Sequence, residues 1–465
     1  MLSLPIKEAV KISLCVGIAI ALALFFQLEK PYWAAITVIV LASNETFGHG
    51  LNKSRNRLIG TIGGIFLALL LVSFFAQTPI VFLGCLLLLL AVSVWFADDL
   101  RYGYAFTMGF TVCTIVAVMG GFNGEASFEI AVLRIQENIL GVLVYSIIYR
   151  FVWPLSTESL FFSSVDSALN SVYKIEKEIN QLAVNANDEN IEASLFDAQL
   201  LITKLNDLLT MPLSASYKLQ NEKKKWIVIV NAFSHVLQHS KNMVKQFESD
   251  KSNGDKQQQL NYLSQEIKML SNAIHGEKLE VNILANYWSH ESIKLQHSKP
   301  IVKANKLKLK INRVIRAVAI ASTCYGAWIY FALPGSVFIP MFGSILANIT
   351  VTLPFAMIKQ VILAAFLWGV VFLLQYIFIM PAFTELWQLV GFYIINIFLI
   401  WALFPKPAMM LVRLLGGNLL MVMTMSALQL TPSYDINTPL LLLVILMITV
   451  TVARFYNQLF MLKSN

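Results

Sequence analysis

Apolar runs of about twenty residues recur along this chain of 465 residues, and no other feature limits its fold as strongly. A helix needs about 20 apolar residues to cross a hydrocarbon core of about 30 Å. In lipid every backbone polar group has to be satisfied within the segment, which selects helices. The N-terminal block offers six such segments, at roughly 6–27, 31–47, 56–76, 79–97, 102–121 and 128–152. The C-terminal block offers six more, at roughly 312–333, 336–353, 356–379, 385–404, 408–429 and 438–461. Composition agrees: 57% of residues are hydrophobic and 13% charged, against about 45–50% and about 25% in a soluble domain. A soluble globular fold and a disordered chain are both excluded.

Charge is concentrated between the two blocks. Residues 155–310 hold 17 acidic residues and 19 lysines, more than half of the 62 charges in the chain, and no arginine. Apolar residues recur there at helical spacing, as in Leu160, Val165, Leu169, Val172 and Ile175, and again in Leu195, Leu200, Leu201 and Leu205. Such amphipathic stretches predict a bundle of about four or five helices. The polar run Glu248–Gln259 reads as a connection within it. His235 and His239 stand four apart without a third ligand, so a solvated helix face is the expected reading.

Basic residues set the expected orientation. With the N-terminus in the cytoplasm, the inner loops carry Lys53, Arg55, Arg57, Arg101, Arg150, Lys359 and Lys406, and the Lys-rich stretch 299–310 and the insert fall on the same side. The outer loops carry no basic residue except Lys30, as the positive-inside rule requires. The net charge of +8 is therefore a membrane-topology signal rather than a nucleic-acid one. The two blocks also align at an offset near 305, with Lys11 on Arg316, Ala42 on Ala347, Gly64 on Gly369, Trp95 near Trp401 and Arg150-Phe151 on Arg454-Phe455. An even number of spans between copies makes such repeats parallel. The expected fold is an all-α membrane protein: two parallel six-helix transmembrane repeats (1–154 and 311–465) separated by a helical cytoplasmic insert (155–310).

Several chemistries have no residues to support them. The four cysteines lie in apolar runs and read as small buried hydrophobes. There is no HExxH and no GxxxxGK[ST], so neither a zinc protease nor an ATP-driven pump is expected on this chain, and no cofactor or metal is called for. The first apolar run flows into further spans and does not read as a cleavable signal peptide.

The sixth segment is the most informative. Arg134, Glu137, Asn138, Gly141 and Tyr145 share one helix face. Charged groups inside a span cost about 2.5–3.5 kcal/mol each on insertion scales, and they usually face a bundle interior or an aqueous path. Arg134 can attract an anion while Glu137 pairs with it or takes a proton; the alternative is a structural pair reaching for the outer surface. In the fifth segment Thr107, Thr111 and Thr114 form a hydroxyl stripe that either binds a carboxylate or bonds back to its own backbone. The short second segment opens on Pro31, contains Tyr32, Trp33 and Thr37, and closes on Ser43, Asn44 and Glu45. It reads as an outer aromatic belt or as a broken helix lining a substrate site. Lys53, Arg55 and Arg57 read as topology determinants or as an inner vestibule for organic anions, and Gly60 and Gly64 allow close helix packing.

Taken together, these residues resemble the fusaric acid resistance (FUSC) family, which includes the aromatic acid exporters. The stretches that carry the resemblance are Pro31-Tyr-Trp-Ala-Ala-Ile-Thr37, Asn52–Gly64 with Arg57-Leu-Ile-Gly-Thr61, Arg101-Tyr-Gly-Tyr104, Arg134 to Gly141, and Arg150-Phe-Val-Trp-Pro154. The resemblance covers roughly residues 5–155, and six spans, a helical cytoplasmic part and six more spans fit the whole chain. Aluminium-activated malate transporters, which are anion channels, look like distant relatives. What the resemblance implies is a bacterial inner-membrane, non-enzymatic efflux transporter of small organic anions such as aromatic carboxylic acids; the further expectation, with Glu137 as candidate proton carrier, is that the proton gradient drives it. Arg134, Glu137, Asn138, Thr107, Thr111, Trp33, Thr37 and Arg57 would then form its path. Expected partners are the small organic acid, the lipid bilayer, a periplasmic adaptor protein and a second copy in a homodimer. The rival expectations are a passive organic-anion channel and a non-transporting protein whose insert docks a partner.

Overall fold

The structure is a computed structural model that describes residues 3–43, 47–99, 101–121, 123–153, 157–184, 191–210, 217–249, 256–275, 299–331, 337–353, 355–405 and 409–460. Every regular element among them is helical. The N-terminal block comprises α1 (Leu4–Phe25), α2 (Tyr32–Ala42), α3 (Phe47–Phe75), α4 (Pro79–Phe96), α5 (Gly103–Met119) and α6 (Gly124–Phe151). The polar insert comprises α7 (Thr157–Val184), α8 (Ile191–Thr210), α9 (Tyr217–Asn221), α10 (Lys223–Ser249) and α11 (Lys256–His275). The C-terminal block comprises α12 (Lys299–Tyr330), α13 (Phe338–Thr350), α14 (Phe355–Phe378), α15 (Leu386–Leu403), α16 (Met410–Met423) and α17 (Asn437–Leu459).

A helix therefore stands at each of the twelve apolar segments, and the twelve differ in length. Seven helices are long and apolar enough to cross a membrane: α1, α3, α4, α6, α14, α15 and α17. The apolar helices α2, α5, α13 and α16 are shorter. At 1.5 Å per residue the 11 residues of α2 rise only about 16 Å. Nine of those residues are buried, as expected of a helix that is apolar all round and packed inside a bundle. Pro31 caps α2 from just outside it instead of occupying the first turn.

The two apolar blocks form one compact unit and the insert forms another. In the first unit α1 packs along α15 and α2 against α6, while α13 lies on α5 and α16 on α2. The middle of α12 meets the end of α4: Lys310 Nζ donates to the Trp95 carbonyl, Arg313 pairs with Asp98, and Ala317, Ile320 and Ala321 cluster with Leu90 and Val94. Glycines let α3 and α5 cross closely. A Cβ on Gly60 would stand 2.5 Å from the Ala105 carbonyl oxygen, and one on Gly64 would run into that of Gly109. A Cβ on Gly63 would meet nothing within 4 Å. Cys15, Cys113 and Cys324 are buried, Cys85 is partly so, and all four are free thiols.

The insert closes a core of its own from α7, α8, α10 and α11, with Phe161 and Phe162 edge-on to Trp226 at 5.3 Å. Two expectations for it fail. Leu200 is exposed, one turn from exposed Phe196 on α8. His239 does not stand on a purely solvated face, because its Nδ1 lies 2.9 Å from the Glu266 carboxylate, a buried acid on α11 that needs a polar partner. Residues 250–255 of the expected connection lie outside the described residues.

The glycine crossing yields a stability prediction. Gly64→Ala forces α3 and α5 apart and is expected to cost about 1–3 kcal/mol, read as a lower melting temperature in detergent. Gly63→Ala, at the adjacent residue but facing open space, is expected to hold or raise that temperature.

Candidate functional site

The site is built where short α2 crosses α6. Gly141 makes the approach possible: a Cβ there would stand 2.7 Å from Thr37 Cβ and 2.8 Å from the Ala34 carbonyl oxygen. With hydrogen in that place, Thr37 Oγ1 comes within 2.9 Å of Asn138 Oδ1, one turn back along α6. Thr37 also bonds its own Trp33 carbonyl. From α3, Asn138 Nδ2 is met by Thr61 Oγ1 at 3.2 Å. Asn138 is thus oriented from both sides, with its amide oxygen turned to where α2, α3 and α6 meet.

Arg57 fills that space. Its side chain is 3% exposed. Nε donates to Asn138 Oδ1 at 2.8 Å, Nη1 to Tyr104 Oη at 3.0 Å and Nη2 to Thr37 Oγ1 at 3.1 Å. Every one of these acceptors is neutral, and no carboxylate pairs with Arg57 among the described residues. The expectation that Lys53, Arg55 and Arg57 form an inner loop is therefore corrected. All three stand in α3, and only Arg55 is exposed. Lys53 Nζ donates to the Val40 carbonyl and to Ser43 Oγ, satisfying the C-terminal end of α2.

A second charged group stands one turn along α6. The Arg134 guanidinium lies 3.2 Å from the centroid of the Trp33 ring, a cation–π contact, and its Nη2 is buried without a hydrogen-bond partner. Glu137 is 1% exposed, and neither of its carboxyl oxygens has a partner. Arg134 and Glu137 therefore do not close the structural ion pair considered from the sequence. Trp33 and Thr37 both face α6, Trp33 at Arg134 and Thr37 at Asn138.

Thr107 and Thr111 are placed apart from this cluster. Their hydroxyls bond the Gly103 and Thr107 carbonyls of their own helix, at 3.2 and 2.8 Å. Thr114 Oγ1 is buried without a partner. Asn44, Glu45, Lys406 and Pro154 lie outside the described residues. Sequence reasoning did not single out Thr61 or Tyr104 as site residues. Thr61 stands four residues after Arg57, the spacing of one helix face, which was a usable signal. Tyr104 comes from another helix, and only the fold brings it to Arg57. Among the described residues no group of three histidines, cysteines or acids could hold a metal ion.

The description "fusaric acid resistance protein family" matches residues 7–285. The chain belongs to this family. Among curated proteins, it is 25% identical over 180 residues to the p-hydroxybenzoic acid efflux pump subunit AaeB of Musicola paradisiaca (strain Ech703), a match covering 37% of this chain and 28% of that protein. It is 26% identical over 147 residues to the protein of the same name from Edwardsiella tarda (strain FL6-60), covering 30% and 23%. It is 30% identical over 143 residues to the uncharacterized transporter YdhK of Escherichia coli (strain K12), covering 30% and 21%. The matched part thus spans less than a third of each of these relatives. The family match begins within α1 and runs through α6, and so includes every residue of the cluster.

The hydrogen-bond network gives its own prediction. Asn138→Leu removes the acceptor of Arg57 Nε and leaves Thr37 and Thr61 without their shared partner. A loss of about 1.5–3 kcal/mol is expected for a bond to a charged group, seen as a lower detergent melting temperature than that of Thr111→Val.

Proposed function

We propose that this chain exports small organic anions, aromatic carboxylic acids of the hydroxybenzoate type, across a bacterial inner membrane in exchange for protons. The observation that carries the proposal is the buried Arg57 guanidinium held by neutral acceptors alone, with the unpartnered Glu137 carboxyl and Arg134 one turn away. A buried charge without a counter-charge is costly, by several kcal/mol. A carboxylate passing between α2, α3 and α6 supplies what Arg57 lacks. Arg134 offers the same anion its free Nη2 edge, while the Trp33 ring holds the other side of the guanidinium. Glu137 is the proton carrier: with no hydrogen-bond partner it needs a proton or a cation to rest in this place. Membership of the family and the names of the relatives support efflux of such acids.

The architecture proposed around this path has three parts, 1–154, 155–310 and 311–465, the first and last being parallel six-helix repeats. Three features support the repeat. The second and fifth helices are short in both blocks. Contacts between blocks are reciprocal: first helix on fourth (α1 on α15, α12 on α4) and second on fifth (α13 on α5, α2 on α16). The aligned cations Lys11 and Arg316 each reach the end of their block's sixth helix, Lys11 at the Trp153 carbonyl and Arg316 at Asn457 Oδ1. The positive-inside pattern supports cytoplasmic termini and a cytoplasmic insert. A periplasmic adaptor and a homodimer are proposed as partners, the former supported by the word "subunit" in the relatives' name. A second reading, a partner docked on the insert, draws on the exposed Phe196 and Leu200 of α8.

The test is uptake of labelled hydroxybenzoate into vesicles with and without an imposed pH gradient. Accumulation above equilibrium that collapses with a protonophore is expected; flux that only equilibrates identifies a passive channel. Arg134→Gln and Arg57→Gln are each expected to lower flux about 10- to 100-fold, the loss of one hydrogen bond to a charged group, in protein that still inserts. Glu137→Gln is expected to abolish accumulation driven by the gradient while leaving exchange of labelled for unlabelled acid. Normal gradient-driven accumulation in that variant would remove Glu137 from the mechanism.

A further inference from the structure

Away from the cluster, on the other side of the glycine crossing, α3, α4 and α5 enclose an apolar notch of about 380 Å³. That exceeds twice the roughly 150 Å³ of an apolar cavity that accepts benzene. Its floor is Gly60, Gly63, Gly64 and Gly109, of which Gly63 is the one whose Cβ would meet nothing within 4 Å, and its walls include Ile59, Val92 and Phe106. Those three are exposed on the outside of the helical unit. On a chain with this many apolar helices, such a surface faces hydrocarbon, and the notch opens sideways to it.

The charge at one end of the notch is distinctive. Tyr102 lines it, and the exposed Arg101 guanidinium lies 5.1 Å from the Tyr102 ring centroid. Arg55 stands one turn before the lining residue Ile59 on α3, exposed, with Asn52 as its hydrogen-bond partner. Asn56 Nδ2 donates to the Arg101 carbonyl at 2.7 Å, which holds the two arginine-bearing segments together. Neither arginine has an acidic partner among the described residues. The nearby acids are engaged: Asp98 pairs with Arg313, and Asp99 accepts the backbone N–H groups of Arg101 and Tyr102. Those two N–H groups hold the Asp99 carboxyl below its ordinary range, so it stays ionised and closes its own turn.

We propose that the notch is a binding site for one anionic phospholipid, with an acyl chain between α3, α4 and α5 and its phosphate on Arg55 and Arg101. An acyl chain fits an apolar recess that is open to hydrocarbon along its length. Two unpaired guanidinium groups at its mouth, at the level where the helices begin, select a negative headgroup over a zwitterionic one. The seated chain would lie against the back of the α3–α5 crossing whose other side holds Arg57 and Thr61.

Native mass spectrometry of the full chain in detergent, titrated with phosphatidylglycerol or phosphatidylcholine of the same acyl chains, tests this. The wild type is expected to retain one phosphatidylglycerol in clear preference to phosphatidylcholine. Arg55→Gln and Arg101→Gln are each expected to reduce that preference about fivefold. Gly63→Leu projects into the notch from a position whose Cβ meets nothing within 4 Å and is expected to lose the retained lipid at unchanged melting temperature. Val92→Trp does the same from the α4 wall, in case the first variant folds poorly. Equal retention of the two lipids by the wild type overturns the proposal, as does unchanged phosphatidylglycerol retention in both notch-filling variants. Retention of hydroxybenzoate in place of lipid, lost in Gly63→Leu, also overturns it and makes the notch a lateral entrance for substrate.

Discussion

The structure depends on how a guanidinium can be held inside an apolar bundle. Moving such a group out of water costs several kcal/mol even after relaxation. Here the return comes from three hydrogen bonds to neutral oxygens, those of Asn138, Tyr104 and Thr37. Each charge-assisted bond contributes about 1.5–3 kcal/mol, so the group can be buried without an acid beside it. A carboxylate partner would stabilise it more but would also neutralise it. What remains is a fixed positive charge with all its donors pre-aimed, a state that favours any anion able to enter.

The fold elements follow from that demand. Thr37 and Asn138 reach each other because Gly141 removes the only atom that would separate α2 from α6. Thr61 reaches Asn138 because Gly60 and Gly64 bring α3 hard against α5, which also carries Tyr104. Brevity of α2 serves the same end. Eleven residues leave both ends of the helix within the bundle, and Lys53 satisfies the C-terminal carbonyls there. In a bilayer, irregular backbone is tolerated only where protein or a water-filled path surrounds it.

Much of this was legible in the sequence, and the missing parts share one cause. Hydropathy located a helix at every apolar segment, since lipid imposes a length on them. It says less about their lengths, since α2, α5, α13 and α16 are apolar but shorter and composition does not report where a helix stops. The face holding Arg134, Glu137, Asn138 and Gly141 was visible because 3.6-residue spacing is a local property. Arg57 was misplaced for the opposite reason: a lysine and two arginines within five residues look like a loop until the tertiary fold supplies Asn138 and Tyr104. Leu200 and His239 erred likewise, one apolar on a polar surface and the other polar over a buried acid. Periodicity assigns faces, but only packing decides what each face meets.

The arrangement on α6 has a consequence for coupling. Arg134 and Asn138 are four residues apart, a rise of about 6 Å, and Glu137 lies between them in sequence. In the proposed mechanism an anion on Arg57 that moves outward meets Arg134 next. If Glu137 is ionised, it competes with the anion for Arg134 and repels it; if Glu137 holds a proton, Arg134 is left to the anion alone. Occupancy by substrate and by proton are then linked through charge balance at one cation, with no large rearrangement required. Trp33 strengthens that link by fixing the guanidinium plane against α2, so Arg134 cannot swing away to a lipid headgroup. In the proposed mechanism the cost that an unsatisfied buried acid imposes on the fold is offset by its part in coupling.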